Sequence, residues 1–224
     1  MNIPNCIIEI TRMCNMTCDH CLRGDMQDMC MKEGHLDSLF SKADYISTLT
    51  LTGGEPSLRP DIIRLVLNKA KQYNVEVGSF YIATNGKGIT SEFVMVCLEW
   101  FLYCEEKEFC MVELSNDNFH DDSDNENLLQ GLSFFSQREP MRREGVISMG
   151  RAQDYGIGMR SLDVSGYEIE EGMILDGEIY LNCEGYIISS CDLSYDDQEE
   201  FTVCHVDCLS IKQLEEYTEA LEAY

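Results

Sequence analysis

The run Cys14-Asn15-Met16-Thr17-Cys18-Asp19-His20-Cys21 forms a C-x3-C-x2-C loop. Three thiolates on a short loop can hold three corners of a [4Fe–4S] cube, whereas an all-cysteine cluster has four protein ligands. The iron left without one is an open coordination position, the arrangement of catalytic metal sites. Zinc is the competing metal; a structural zinc would need a fourth ligand, for which His20 and Cys30 are the nominees. Near the other end, Cys183, Cys191, Cys204 and Cys208 could hold a second metal, an auxiliary iron–sulfur cluster or zinc; the alternative is small buried residues. The remaining cysteines, Cys6, Cys30, Cys97, Cys104 and Cys110, are scattered and are expected to pack in the core.

The elements that must position these groups follow from apolar periodicity. Cys6 to Thr11 is a β-branched apolar run of strand length that leads straight into the cysteine loop. A helix is expected around Leu36 to Ala43, and a strand from Tyr45 to Thr52, stopped by Gly53-Gly54-Glu55-Pro56. Pro60 stands where a first-turn proline belongs, followed by an apolar helix face through Ala70. Val77 to Ala83 reads as a strand ending at Thr84-Asn85-Gly86, and Thr90 to Glu105 as a helix capped by Thr90 or Ser91. Phe109 to Leu114 reads as a strand ending at Ser115-Asn116-Asp117. The acidic start Asp121, Asp122, Asp124 and Glu126 suits a helix dipole and predicts a helix through Phe135; Gly145 to Met149 reads as a fifth strand, ending at Gly150-Arg151-Ala152.

Strands alternating with helices predict an α/β fold, a parallel sheet either open or curled into a partial (β/α) barrel of five to six units. Chemistry in such folds sits at the strand C-termini, where this chain carries its cysteine triplet and its glycine-rich polar segments. After about Arg151 the rhythm changes: hairpin signals at Asp176-Gly177 and Glu184-Gly185 and an amphipathic stretch from Ser210 to Tyr224 predict a small hairpin-and-helix extension over 166–224, after a core over 1–165.

Composition bounds the function. The chain has 224 residues, 41 acidic and 16 basic side chains and a formal net charge of −25, so sequence-independent nucleic-acid binding is disfavoured. No apolar run approaches the ~18 residues of a membrane span and the first residues lack a secretion signal, so a soluble cytoplasmic protein is expected. In a reducing compartment the cysteines are metal ligands, catalytic thiols or core residues.

The cysteine loop after the first strand, with His20 in the place of an aromatic residue before the last cysteine, resembles the signature of the radical S-adenosylmethionine (radical SAM) superfamily. Gly53-Gly54-Glu55 after the second strand is similar to that family's Gly-Gly-Glu segment. The resemblance, which covers about residues 3–165, implies that Cys14, Cys18 and Cys21 ligate a [4Fe–4S] cluster, that Gly53, Gly54 and Glu55 take the amino group of SAM, and that His20 lies near the adenine. Asn85, Ser115 and Asp117 are its further SAM contacts. It implies reductive cleavage of SAM to a 5′-deoxyadenosyl radical that abstracts a substrate hydrogen atom, with an electron donor such as flavodoxin or ferredoxin. The sequence from Gly177 to Cys191 resembles the hairpin entering the auxiliary-cluster extension of peptide-modifying members, which implies a peptide or small-protein substrate. An activase that installs a glycyl radical on a partner enzyme, and a non-catalytic SAM- or metal-binding regulatory protein, are the alternatives. Arg12, Arg23 and Lys32 around the loop are expected to form a cationic patch for an acidic donor, Arg151 is the best cation for a carboxylate at the barrel mouth, and His120 is expected in solvent.

Overall fold

The computed structural model describes residues 1–115, 119–120, 126–139, 145–159, 164 and 166–223. Its main sheet has eight strands in the order β10-β9-β8-β1-β2-β3-β4-β5. The strands are β1 (Asn2–Thr11), β2 (Tyr45–Gly53), β3 (Glu76–Thr84), β4 (Met111–Leu114), β5 (Phe135–Gln137), β8 (Glu178–Leu181), β9 (Tyr186–Ile188) and β10 (Thr202–His205). β8, β1, β2, β3, β4 and β5 pair in parallel, whereas β8–β9 and β9–β10 are antiparallel. The helices are α1 (Glu33–Phe40), α2 (Pro60–Tyr73), α3 (Ser91–Tyr103), α4 (Gly150–Asp154) and α5 (Ile211–Glu222). Among the described residues no helix is long and apolar enough to cross a membrane.

Register explains how one sheet makes both a core and a cavity. Ile8, Leu51, Ile82 and Val112 fall in one row and Cys6, Leu49 and Phe80 in another, and all pack with α1, α2 and α3 through Leu36, Phe40, Ile63, Val66, Phe93 and Trp100. Because side chains alternate between faces, the intervening rows Ile7–Thr50–Tyr81 and Glu9–Thr52 belong to the opposite face, with polar groups where the first set is apolar. Trp100 donates from Nε1 to the Ile63 carbonyl (3.2 Å), fixing α3 against α2. Pro60 opens α2, and Thr90 caps α3 by accepting from the Phe93 amide (3.2 Å), as their positions in the sequence require.

Three local expectations are corrected. Residues 121–125 of the expected acidic helix lie outside the described residues; Glu126–Leu128 is a single 3-10 turn, and the segment ends as strand β5 rather than as helix. A short apolar run does not distinguish helix from strand by periodicity, and here pairing with β4 and stacking of Phe134 on Phe101 (4.5 Å between ring centres) favour the strand. Gly145 to Met149 is therefore not the fifth strand; Val146 and Ile147 are buried in the segment that leads to α4. Asp176-Gly177 joins strands rather than making a hairpin. The hairpin of β6 (Glu168–Glu170) and β7 (Met173–Asp176) turns at Glu171-Gly172, both with positive φ (49° and 75°), the geometry of a two-residue type I′ turn.

Candidate active site

The cysteine loop is pinned where it leaves and returns to β1. The Arg12 amide donates to the Met29 carbonyl (2.9 Å), Gln27 donates back to Arg12 (3.2 Å) and Met31 to Ile10 (3.0 Å), so residues 13–26 form a closed loop over the strand end. Cys14, Cys18 and Cys21 are half-buried and line one cavity of about 170 Å³. Burial pushes the Cys14 thiol up from its ordinary value. From the other side, α4 braces the loop: Arg151 Nε donates to the Cys18 carbonyl (3.2 Å) and the Ala152 amide to the Cys21 carbonyl (3.4 Å). Gly150 carries φ 54°, and a Cβ there would sit 2.4 Å from the Leu22 carbonyl oxygen, so this contact requires glycine.

The Gly-Gly-Glu segment closes the cavity beside the loop. The Gly54 amide donates to Thr11 and the Glu55 amide to Met13, both at 2.8 Å. A Cβ on Gly53 would lie 2.0 Å from the Thr11 oxygen, and one on Gly54 2.3 Å from that of Met13. Glu55 is fully buried and its carboxylate accepts three hydrogen bonds. Oε1 accepts from the Ser57 amide (3.0 Å) and the Thr84 hydroxyl (2.6 Å), and Oε2 from the Asn85 amide (2.8 Å). Burial raises its pKa while these bonds oppose the rise. The side chain thus clasps the ends of β2 and β3 together. Asn85 extends the clasp to the cysteine loop, donating from Nδ2 to Asn15 Oδ1 (2.9 Å) and lying 3.9 Å from Cys14 Sγ.

Gly53, Gly54, Glu55, His20, Asn85 and Ser115 all line the cavity with the three cysteines; Asp117 lies outside the described residues. His20 stacks on Phe119 (4.5 Å) and meets the edge of His120 (4.9 Å). His120 is thus a half-buried wall residue rather than a solvent-exposed one. Arg151 also reaches the wall, paired with Asp25 (3.2 Å).

A second, adjoining cavity is lined by the opposite sheet face, including Ile7, Thr50, Thr52, Tyr81 and Arg138, and by Val146, Ile147 and Cys191; it shares Cys21, Ser115 and His20 with the first. Tyr81, Glu113 and Arg138 form a triad on this wall: the Tyr81 hydroxyl donates to Glu113, and Arg138 donates to Glu113 (2.8 Å) and to Tyr81 (2.8 Å). Burial, with the Glu113 carboxylate beside it, pushes the Tyr81 hydroxyl up to about 12. Sequence reading missed Arg138, because the expected helix hid the end of β5, where a parallel fold concentrates such groups.

Of the cationic patch expected at Arg12, Arg23 and Lys32, Arg12 is buried, Arg23 is half-buried and only Lys32 is exposed. Arg12 is 2% exposed and donates to Glu9 (2.7 Å), Gln27 (2.9 Å) and Gln198 (2.7 Å), with Glu184 at 3.1 Å. Arg23 donates to the Leu193 carbonyl (2.7 Å) and lies over the Tyr180 ring (5.2 Å). Glu9 also accepts from Tyr180 and from the Cys183 amide (3.0 Å), so a buried polar network joins β1 to the C-terminal strands. Burial alone would raise the Glu9 pKa, but Arg12 and Arg23 hold it below its usual value.

The four C-terminal cysteines do not converge. Cys183 lies at the β8–β9 turn with its thiol on the Glu9 carbonyl (3.0 Å), while Cys191 lies at the hairpin's opposite end, its amide on Glu178 near the start of β8. Four strand residues separate those ends, about 13 Å. Cys204 is in β10 and Cys208 is exposed beyond it. Among the described residues no three His, Cys, Asp or Glu side chains stand in position to hold a metal ion as they are. The triplet differs from the quartet in sharing one loop and one cavity, and its thiols fit a thiolate-held cluster by the chemistry of the donor set.

No family model matches the chain, and no curated protein matches it in sequence. Solved structures do match. Native anSMEcpe with bound AdoMet and the Cp18Cys peptide superimposes with a TM-score of 0.61 at 12% identity, over 98% of this chain and 82% of that one. The same protein with AdoMet and the Kp18Cys peptide gives 0.63 at 12% identity over the same shares. A crystal structure of Streptococcus suis SuiB is a looser match, 12% identical over 84% of this chain and 60% of its own, with a TM-score of 0.42. This chain therefore shares the fold of the AdoMet-bound anSMEcpe structures over nearly its whole length.

Proposed function

We propose that this protein is a radical SAM enzyme that acts on a peptide or small protein. The observation that carries the reading is the convergence of Cys14, Cys18 and Cys21 with Gly53, Gly54, Glu55, Asn85 and Ser115 on one cavity at the ends of parallel strands. Cys14, Cys18 and Cys21 would hold a [4Fe–4S] cluster, which would supply the electron for reductive cleavage of a C–S bond of SAM and so the radical chemistry for hydrogen-atom abstraction from the substrate.

This chain's residues bind, orient and shield. The amino group of SAM meets the backbone of Gly53 and Gly54, which Glu55 holds in place through its own three hydrogen bonds. Ser115 and Arg138, on one wall, suit the SAM carboxylate, and Arg138 has an Nη1 that bonds no described residue. His20 stacks toward the adenine, Asn85 steadies the Cys14 end of the loop, and Asp117 is assigned to the ribose. The substrate enters the adjoining cavity past Val146 and Ile147, which exclude water. In this reading residues 1–165 are the catalytic core and 166–224 an extension that braces it. A peptide substrate is supported by the peptide-bound anSMEcpe structures and by the net charge of −25, which attracts a basic partner. The electron comes from a donor of the flavodoxin or ferredoxin type.

Anaerobic reconstitution tests this. The expected product holds about four irons per chain, and its reduced spin-resonance spectrum changes on adding SAM. A bound metal whose spectrum ignores SAM would support a metal-binding regulatory protein instead.

A further inference from the structure

We propose that Tyr195 donates a hydrogen bond to sulfur at the Cys21 side of the bound cluster and thereby sets how readily that cluster takes up an electron. The inference rests on the proposed function, and it concerns a residue in the C-terminal extension rather than in either motif.

Tyr195 lines the cavity that holds the three cysteines, and its hydroxyl is fully buried with no hydrogen-bond partner among the described residues. An unpaired buried hydroxyl costs ~1–3 kcal/mol, so the fold holds it there against that cost. The surrounding segment is tied to the cysteine loop in both directions. The Tyr195 amide donates to the Arg23 carbonyl (3.1 Å), and Arg23 Nη1 donates to the Leu193 carbonyl (2.7 Å). Arg23 is two residues from Cys21, so the backbone that carries the ring is tied to the loop. Beneath the ring lies the Arg12 guanidinium, 4.6 Å from its centre and itself locked to Glu9 and Gln198. Cys21 is among the ionisable groups near enough to influence the phenol electrostatically, together with Glu9, Arg23 and Arg12.

A hydrogen bond to a cluster sulfur or its thiolate ligand stabilises the more negative, reduced state and raises the reduction potential. This gives the extension a purpose that needs no second metal: Tyr195 completes the environment of the first.

The test is a spin-resonance redox titration of reconstituted wild type and Tyr195→Phe, with iron counted in both. Phenylalanine keeps the ring on Arg12 and removes only the hydroxyl. The expected result is unchanged iron and a reduction equilibrium about tenfold less favourable, 59 mV for one electron. Tyr186→Phe, half-exposed on β9, leaves the equilibrium unchanged. Difluorotyrosine at position 195, a stronger donor, moves it the opposite way, a response that a merely structural ring would not give and that does not depend on the Phe variant folding. Equal potentials in all forms overturn the proposal, whether or not SAM binding weakens. A chain that binds no iron with its three cysteines intact overturns the proposed function and this inference together, whereas normal iron with an indifferent potential removes the role of Tyr195 alone.

Discussion

The sharpest structural claim is that Gly53 is fixed by the approach of two backbones, and Gly53→Ala tests it. A Cβ at position 53 would sit 2.0 Å from the Thr11 carbonyl oxygen, against an ordinary contact of about 3.4 Å or more, and the obstacle is backbone in the central strand. Relief requires β2 and β1 to part at the cysteine loop, which also strains the Gly54–Thr11 hydrogen bond. Overpacking of this kind costs ~1–3 kcal/mol, and a lost hydrogen bond ~1 kcal/mol more. For a chain of this size about 1 kcal/mol moves Tm by roughly 2–4 °C, so a fall on the order of 4–16 °C is expected. Gly34→Ala is the matched control: it lies in α1 with nothing within 4 Å, and there alanine stabilises by ~0.5–1 kcal/mol. The assay is a thermal scan of metal-free protein. Two variants that shift Tm alike, or a Gly53→Ala protein as stable as wild type, would refute the account of this segment.

Further expectations follow from the buried groups. Glu9→Gln removes the buried carboxylate partner of Arg12, leaves it only the part-exposed Glu184, and costs at most roughly 3–5 kcal/mol at pH 7. Because the folded Glu9 pKa is depressed, its contribution is present above about pH 4.3 and is lost as pH falls through the folded value, so urea titrations of wild type and variant should differ at pH 7 and converge in acid. Alanine at Cys183, Cys191, Cys204 and Cys208 together should leave iron content unchanged, whereas alanine at Cys14, Cys18 and Cys21 abolishes it; loss of iron from the first set would revive an auxiliary cluster. Arg138→Met should raise the KM for SAM about tenfold, one charged hydrogen bond's worth at ~1.5 kcal/mol, and an unchanged KM assigns the carboxylate elsewhere.

What the sequence discloses here depends on whether the cause is local. The first three strands, α2 and α3 were legible because each carries its own signal, a β-branched run, Pro60 or Thr90, and the motifs at their ends lie where parallel strands deliver them. β5 was hidden because the three residues Phe135–Gln137 become a strand only by pairing with β4. Arg12 and Arg23 look like surface cations beside a loop; their burial depends on Glu9 from β1 and on Gln198 and Leu193, which are far away in sequence. The cysteine quartet suggested a metal by count, but a hairpin places Cys183 and Cys191 at opposite ends. Tyr195 had no signal at all, since its interest lies in an unpaired hydroxyl beside a loop met only in three dimensions.

The central claim is that the three-cysteine loop and the Gly-Gly-Glu segment form one SAM-cleaving site. Its most direct measurement is 5′-deoxyadenosine released by reconstituted, strictly anaerobic protein given SAM and a strong reductant. Wild type should release it, and Cys18→Ala should release none while remaining folded. No 5′-deoxyadenosine from wild type carrying a full complement of iron and sulfide would contradict the account.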